Sequence, residues 1–247
     1  MLMLIEVAAS MLIGCLLSLF VIPRISLVSL RCRLFDAVDE RKIHTAPIPR
    51  LGGLAFFPCI IVSVSVVIVF NNLLTGHNLL DFYSTTRLLS LVSALVMIYL
   101  MGMMDDLVGV RYRSKFIIQI LCAVLLVSSG FCLNDLHGLF GFHALPQWFA
   151  FPFSVLLLVY VMNALNLIDG IDGLASGLSG IALLAFGVMF TVLGWRLYAF
   201  LAFAGLGVLL PFFYFNVFGN PNRGQKIFMG DTGSLTIGLL LGVLATP

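Results

Sequence analysis

The 247-residue chain is 61% apolar and only 10% charged, and its mean hydropathy is +1.14. Soluble proteins are usually about 45–50% apolar and about 25% charged, so this composition excludes a soluble domain, a secreted disulfide scaffold and a nucleic-acid-binding protein with a basic tail. The formal net charge of +2 indicates nothing about partners, whereas the positions of the charges along the chain are informative. Most of the surface is expected to face lipid.

Eight stretches are long and apolar enough to cross a membrane as helices, which requires about 20 residues each. They are residues 3–23, 51–70, 88–104, 116–133, 148–165, 176–194, 197–215 and 231–247. Because backbone groups in lipid must be paired within their own segment, and alternating strand patterns are absent, the sequence predicts an all-α, polytopic membrane protein. The first stretch lacks a basic start and a small-residue cleavage site, so we expect it to be retained. Residues 1–247 are interpreted as one integral-membrane domain.

The basic residues are distributed unevenly between the two sides that eight spans would create. Eleven of the thirteen Lys and Arg residues lie in the four odd-numbered connections, residues 24–50, 105–115, 166–175 and 216–230. The other two are Arg87 and Arg196. Since cytoplasmic loops carry an excess of Lys and Arg, the four connections are predicted to be cytoplasmic and the N-terminus to lie outside.

Two adjacent carboxylates, Asp105 and Asp106, close the third predicted span. At a helix C-terminus they face an unfavourable dipole and repel each other, so a nearby cation is expected. The basic residues that follow, Arg111, Arg113 and Lys115, could pair with them. Alternatively the carboxylates could bind Mg²⁺, which prefers carboxylate oxygens and substrate phosphates.

A second polar group follows the fifth span at intervals of three residues: Asn163, Asn166, Asp169 and Asp172. On a helix these residues would form one polar stripe. Gly170 and Gly173 remove side-chain bulk, so that a phosphate–metal group could approach closely. A helix cap with close packing of small residues is the alternative. That alternative does not explain Asp169 and Asp172, which have no basic residue in their connection. Metal binding is therefore favoured.

Two further polar segments lie on the same predicted face. Asp231 stands between glycines at the start of the eighth span, where it could be an N-cap or a metal ligand. The other acidic clusters on that face favour the role of metal ligand. Residues 39–53 mix cations, a histidine and two prolines, and could bind either anionic lipid headgroups or substrate phosphates.

These clusters resemble the motifs of the polyprenyl-phosphate N-acetylhexosamine-1-phosphate transferases, the bacterial enzymes that start O-antigen, enterobacterial common antigen or teichoic acid linkage. Asp105-Asp106 with Lys115-Phe116 is similar to their paired-aspartate motif. Residues 163–175 are similar to NxxNxxDGxDGLA, and residues 228–235 to FMGDxGSL. Residues 41–53 resemble the GlcNAc-type branch more than the muropeptide branch. Members of the family usually continue for further spans and a His-rich loop, so the resemblance implies a fragment or a truncated relative.

The resemblance implies transfer of N-acetylhexosamine-1-phosphate, by default GlcNAc-1-phosphate, from a UDP-sugar to undecaprenyl phosphate in the bacterial inner membrane. It implies Mg²⁺ as cofactor, with Mn²⁺ possible, and membrane lipid but no nucleic acid as a partner; a homodimer is left open. The implied catalytic residues are Asp105 and Asp106, and the implied metal ligands are Asp231, Asp169 and Asp172. The implied substrate-binding residues are Lys115, Asn163, Asn166, Arg41, Lys42, His44 and Arg50.

Two other functions remain open. Acids within membranes can form ion relays, so a transporter or flippase of a lipid-linked sugar is an alternative. The acids here lie at one predicted surface, however, and no inverted repeat is visible. A Mg²⁺-dependent membrane prenyltransferase also uses aspartate clusters, but the DGxDG and FMGD patterns suit it poorly.

Overall fold

The computed structural model describes residues 2–32, 48–136, 138, 143–221 and 224–246. In these ranges the chain forms eight α-helices: α1 Leu2–Arg31, α2 Phe56–Thr75, α3 Phe82–Val108, α4 Tyr112–Ser128, α5 Gln147–Ile168, α6 Leu174–Leu193, α7 Arg196–Phe218 and α8 Gly230–Ala245. A 3₁₀ turn, Gly52–Ala55, leads into α2. The described ranges contain isolated β-bridges but no strand, so the all-α prediction is confirmed.

Six segments within the described ranges are long and apolar enough to cross a membrane: α1, the 3₁₀ turn with α2, α3, α5, α6 and α7. Helices α4 and α8 have 17 and 16 residues, fewer than the roughly 20 that a straight crossing needs. The polytopic architecture is therefore confirmed, whereas a count of eight crossings stays a prediction.

Several helix ends differ from the predicted spans for local reasons. Helix α1 continues past Pro23 to Arg31, and Ser26 extends its buried face by donating to the Gly224 carbonyl at 2.7 Å. Helix α3 begins at Phe82 instead of residue 88 because Asp81 caps it. Helix α4 ends at Ser128 instead of residue 133 because the chain turns at Gly130, whose φ of 106° suits glycine.

Helix α8 lies in the interior of the bundle. Its residues from Thr232 to Leu244 are buried except for Leu241, as expected for a helix that is apolar on all sides. A Cβ added at Gly238 would lie 2.7 Å from Cα of Met162 in α5. One added at Gly102 in α3 would lie 2.6 Å from Cα of Thr232. These close approaches fix the position of α8 against α3 and α5.

The described parts of the four odd-numbered connections meet at one end of the bundle, as the predicted spans require. The Gly52 N–H donates to the Phe228 carbonyl at 2.9 Å, which joins the start of α2 to the α7–α8 connection. The Gly173 N–H donates to Asn216 Oδ1 at 2.7 Å, which joins the α5–α6 connection to the end of α7. We call this the site end; the far end carries the start of α1, the α2–α3 connection and the start of α7.

Candidate active site

Three charged side chains from three helices meet at the site end. Lys115 Nζ, from α4, lies 2.9 Å from Asp105 Oδ2 of α3 and 3.0 Å from Asp231 Oδ2 of α8. The side chains of Lys115 and Asp105 are 14% and 11% exposed, and that of Asp231 is 30% exposed. Asp105 is held further by the Val110 N–H, which donates to its Oδ1 at 2.6 Å. One ammonium group thus lies between two carboxylates that are far apart in the sequence.

Asn166, in the last turn of α5, completes this group. Its Nδ2 donates to Asp231 Oδ1 and, at 2.8 Å, to Ser234 Oγ. Its Oδ1 lies 3.5 Å from Lys115 Nζ. The predicted substrate-binding residue therefore orients Asp231 and places an amide oxygen beside the same cation.

Two other aspartates accept hydrogen bonds from the N-terminus of α8. Asp106 Oδ1 accepts from the Asp231 N–H at 2.8 Å, and its Oδ2 accepts from the N–H and hydroxyl of Thr232 at 2.9 and 2.6 Å. Asp169 accepts from the Gly230 N–H. The first N–H groups of a helix have no partner within the helix and carry partial positive charge. Asp106 and Asp169 therefore cap α8 from outside, and the alternative in which Asp231 is the cap is wrong.

The electrostatics around Asp169 indicate an excess of negative charge. Burial raises the pKa of Asp169 to about 8, and the charges of Asp231 and Asp106 raise it as well. The Gly230 N–H and the Arg50 guanidinium act in the opposite direction. A carboxyl group with this pKa is mostly protonated at neutral pH. A cation bound nearby would stabilise its ionised form.

Asp172 pairs with a different lysine. Its Oδ2 accepts from Lys226 Nζ at 2.5 Å. The α5–α6 connection holds no basic residue, as the sequence shows, but Lys226 reaches this acid from the α7–α8 connection, so Asp172 is paired. Helix α5 ends at Ile168, so Asp172 does not continue the helical stripe that begins at Asn163.

Asn163 lies one turn deeper in the bundle than Asn166. Its Nδ2 donates to Gln119 Oε1 and to the Val159 carbonyl, both at 2.7 Å. Gln119 is fully buried on α4. Sequence reasoning missed Gln119; the available signal was a polar residue one helical turn after Lys115 in an apolar stretch. This amide pair joins α4 to α5 beneath the charged group.

The glycines of the DGxDG segment have different surroundings. Gly173 has a φ of 76°, and an added Cβ would lie 2.7 Å from Val217 Cγ2. Both its backbone conformation and its contact with α7 therefore require glycine. A Cβ at Gly170 would meet no atom closer than 4.0 Å. Only Gly170 leaves open space beside the carboxylates, as both were predicted to do.

The five aspartates predicted to be catalytic residues or metal ligands are divided among three tasks. Asp105 and Asp231 face Lys115, Asp106 and Asp169 cap α8, and Asp172 pairs with Lys226. In the described part of the chain, no three Asp, Glu, His or Cys side chains are arranged to hold a metal ion. Two carboxylates and the Asn166 amide oxygen remain, a donor set that suits a hard cation. The Lys115 ammonium lies among these oxygens, which indicates that they accommodate positive charge.

The predicted phosphate-binding residues are only partly described. Arg41, Lys42 and His44 lie outside the described residues. Arg50 is exposed at the site end, near enough to Asp169 to affect its pKa.

Comparison with known proteins relates this geometry to a family. Residues 88–246 match the profile of glycosyl transferase family 4. Over 242 residues the chain is 31% identical to a probable undecaprenyl-phosphate N-acetylglucosaminyl 1-phosphate transferase of Bacillus subtilis (strain 168), covering 98% of this chain and 63% of that protein.

Two further relatives have related names. A phospho-N-acetylmuramoyl-pentapeptide-transferase of Staphylococcus carnosus (strain TM300) is 33% identical over 80% of this chain and 60% of its own length. A decaprenyl-phosphate N-acetylglucosaminephosphotransferase of Mycobacterium tuberculosis (strain ATCC 25618 / H37Rv) is 36% identical over 84% of this chain and 52% of its own length.

The chain thus spans 52–63% of the length of these three relatives. The matched region, residues 88–246, contains Asp105, Lys115, Asn166 and Asp231, the four residues that meet at the site end. The family relationship predicted from the motifs is confirmed: the chain belongs to glycosyl transferase family 4.

Proposed function

We propose that the site end transfers an N-acetylhexosamine 1-phosphate, by preference GlcNAc 1-phosphate, from a UDP-sugar to undecaprenyl phosphate. The products are the undecaprenyl-diphosphate sugar and UMP. The names of the relatives support a polyprenyl phosphate acceptor and a sugar phosphate donor. The observation that supports the proposal most is the position of Lys115 Nζ between Asp105 and Asp231. Three helices supply opposite charges at one point, as a reaction between two polyanions requires.

In the proposed reaction an oxyanion of the lipid phosphate attacks the β-phosphorus of the UDP-sugar. A new P–O bond forms, the bond from the β-phosphorus to the oxygen shared with the α-phosphate breaks, and its electron pair leaves with UMP. Such transfers depend on positioning and charge neutralisation more than on covalent catalysis. A phosphate monoester has a second pKa of about 6, so the acceptor is largely a dianion at neutral pH and needs no strong base.

Asp105, Asp231 and Asn166 are the residues that would hold Mg²⁺ or Mn²⁺. The ion would neutralise the diphosphate and stabilise the leaving phosphate. Lys115 is a flexible point charge. It can bind a substrate phosphate when a divalent cation neutralises Asp105 and Asp231. Asp106 and Asp169 keep the start of α8, and hence Asp231, in position.

The remaining predicted residues have roles at the rim of the site. Arg50, with the basic residues of the adjoining segment, would bind substrate phosphates; these residues are Arg41, Lys42 and His44. Asp172, paired with Lys226, would meet the nucleotide. Asn163 would act through Gln119 by holding α4 and α5 together beneath Lys115 and Asn166.

The proposal places the site end at the cytoplasmic face of a bacterial inner membrane. Its support is the charge distribution, since eleven of the thirteen Lys and Arg residues belong to the four connections of this end. The acceptor would reach the site from the lipid, and the donor from the cytosol.

The experiment measures UMP release by isolated membranes that carry the native protein, with UDP-GlcNAc and undecaprenyl phosphate added. Asp105→Asn and Asp231→Asn should each lower the rate at least about 100-fold, as loss of a group that stabilises transition-state charge does. Asp81→Asn at the far end is the matched control, because Asn caps a helix as well as Asp.

Chelation by EDTA should stop turnover. Continued release of UMP in EDTA would show that the reaction needs no divalent metal ion. Wild-type rates in both site variants would refute the assigned roles. Sugar transport without UMP release would favour the transporter.

A further inference from the structure

A second polar site lies at the far end of the bundle, away from the described residues of the proposed reaction. There the α2–α3 connection, the start of α3 and the start of α7 enclose a cavity of about 350 Å³. This volume falls in the range of about 300–1,000 Å³ typical of small-molecule sites. The cavity lining includes Leu80, Ser84, Arg87, Trp195, Arg196 and Tyr198.

The cavity concentrates positive charge where a membrane protein usually has little. Arg87 and Arg196 are the two basic residues that lie outside the four connections of the site end. Both line this one cavity, although cations are disfavoured on that side of a membrane protein.

Arg87 has only neutral partners among the described residues. Its Nη1 donates to the Tyr198 hydroxyl and its Nη2 to the Gly130 carbonyl, both at 2.5 Å. Its Cζ lies 4.4 Å from the ring centroid of Tyr83. Its Nε is buried without a hydrogen-bond partner. These groups orient the guanidinium but leave its charge uncompensated.

Arg196 is compensated by one buried acid. Its Nη2 donates to both carboxylate oxygens of Glu6, which is 4% exposed. Asn71 of α2 donates to the same carboxylate. The Nε of Arg196 is also buried without a partner. Neither of the other two acids outside the site end, Asp81 and Asp135, lines the cavity, and Asp81 accepts from the Ser84 N–H. The lining therefore retains one excess positive charge.

We propose that this cavity binds the phosphate headgroup of an anionic membrane lipid from the leaflet opposite the site end. Guanidinium groups present N–H donors in a fixed fork that matches phosphate oxygens, and two of them line this cavity. Basic pockets between membrane helices are suited to anionic headgroups. Leu80 and Trp195 line the same cavity, and Phe82 beside it is 90% exposed, so acyl chains would find apolar surface. A bound headgroup would tie the start of α3 to the start of α7.

The test uses purified protein in a neutral detergent, with phosphatidylglycerol, phosphatidylcholine or glycerol 3-phosphate added. Native mass spectrometry counts the retained lipid, and thermal unfolding follows its effect on stability. We expect one tightly retained phosphatidylglycerol and a higher unfolding temperature. Phosphatidylcholine, whose headgroup has no net charge, and glycerol 3-phosphate, which has no acyl chains, should each have a much smaller effect.

Two variants of different kinds separate lipid binding from folding. Arg87→Gln removes the uncompensated charge, whereas Ser84→Phe fills the cavity and keeps both arginines. Each should weaken phosphatidylglycerol binding at least about tenfold, since hydrogen bonds to charged groups are lost or blocked. Arg24→Gln is the matched control, because Arg24 is an arginine of α1 that stacks on Phe20 outside the cavity.

The proposal is overturned by wild-type affinity for phosphatidylglycerol in the Ser84→Phe variant. It is equally overturned if phosphatidylcholine or glycerol 3-phosphate stabilises the wild-type protein as well as phosphatidylglycerol does. If Arg87→Gln does not fold, the Ser84→Phe variant alone decides between these outcomes.

Discussion

Lys115 joins two acids that would otherwise repel each other. Its ammonium lies between Asp105 and Asp231, so these carboxylates of α3 and α8 stay together without a bound ion. From the sequence, Lys115 was expected to bind substrate phosphates. Pairing with Asp105, ten residues earlier, was the stated alternative, but the spacing of charges along the chain could not indicate that the same lysine also reaches Asp231, 116 residues away.

Replacing Lys115 by Gln should make the protein depend more on divalent cations. Without metal, the two carboxylates lose their shared partner, and the free energy of unfolding should fall by roughly 1–3 kcal/mol, the cost of leaving a charged group unpaired. Thermal unfolding with EDTA and with saturating Mg²⁺ measures this. Mg²⁺ should raise the unfolding temperature more in the variant than in the wild type. Arg113→Gln on the same helix is the control, and an equal effect of Mg²⁺ on all three proteins would contradict the prediction.

Asp169 should make the metal-free protein less stable as the pH rises. Its folded-state pKa of about 8 lies above the ordinary value of 3.8. Between these values the folded protein keeps a proton that the unfolded chain releases, so stability falls with rising pH and levels off above about 8. Asp169→Asn keeps an acceptor for the Gly230 N–H but does not titrate. Unfolding temperatures between about pH 5 and pH 8 in EDTA should therefore fall more steeply in the wild type; parallel curves would show that Asp169 is not the cause.

At the level of elements, α8 carries the site because other elements fix its N-terminus. The sequence predicted where α8 begins, its apolar character and the importance of Asp231. It did not predict that Asp106 and Asp169 would cap it. Hydrogen bonds between a helix N-terminus and distant residues leave no periodic pattern, so the sequence led to a catalytic role for Asp106 and a metal-binding role for Asp169.

Loss of the cap and loss of the proposed metal ligand should have different effects. Asp106→Ala removes the acceptor of two N–H groups and one hydroxyl, so the free energy of unfolding should fall by about 0.5–2 kcal/mol, as for other helix caps. Asp231→Ala leaves the cap in place and should lower UMP release with a smaller loss of stability. Thermal unfolding and UMP release measured on the same preparations compare the two. Equal losses of stability would contradict the separation of roles.

At the scale of the whole molecule, hydrophobic runs predicted the eight α-helices of the described ranges, because burial in lipid imposes the strongest pattern on a sequence. They did not predict helix ends set by local chemistry, such as the Asp81 cap or the turn at Gly130. The uneven distribution of basic residues predicted that the four connections share one side, and the structure brings their described parts together. Which side of the membrane they face stays a prediction.

A thiol reagent that cannot cross membranes tests this orientation. Cys32 is exposed at the site end, and Asn78 is exposed in the α2–α3 connection at the far end. Cys132, between α4 and α5, is partly exposed and is replaced by Ser so that it cannot react. In a protein with Cys132→Ser and Asn78→Cys, the reagent should modify residue 78 in intact cells and Cys32 only after lysis, because the site end is predicted to be cytoplasmic. The reverse pattern would mean that the site end faces outward.

Metal binding tests most directly whether Asp105 and Asp231 hold one divalent cation for phosphoryl transfer. Electron paramagnetic resonance of free Mn²⁺, titrated with purified protein, gives the number of bound ions and their affinity. We predict one ion per chain, an affinity at least about tenfold lower in Asp105→Asn and in Asp231→Asn, and no change in Asp81→Asn. Unchanged stoichiometry and affinity in both site variants would contradict the assignment.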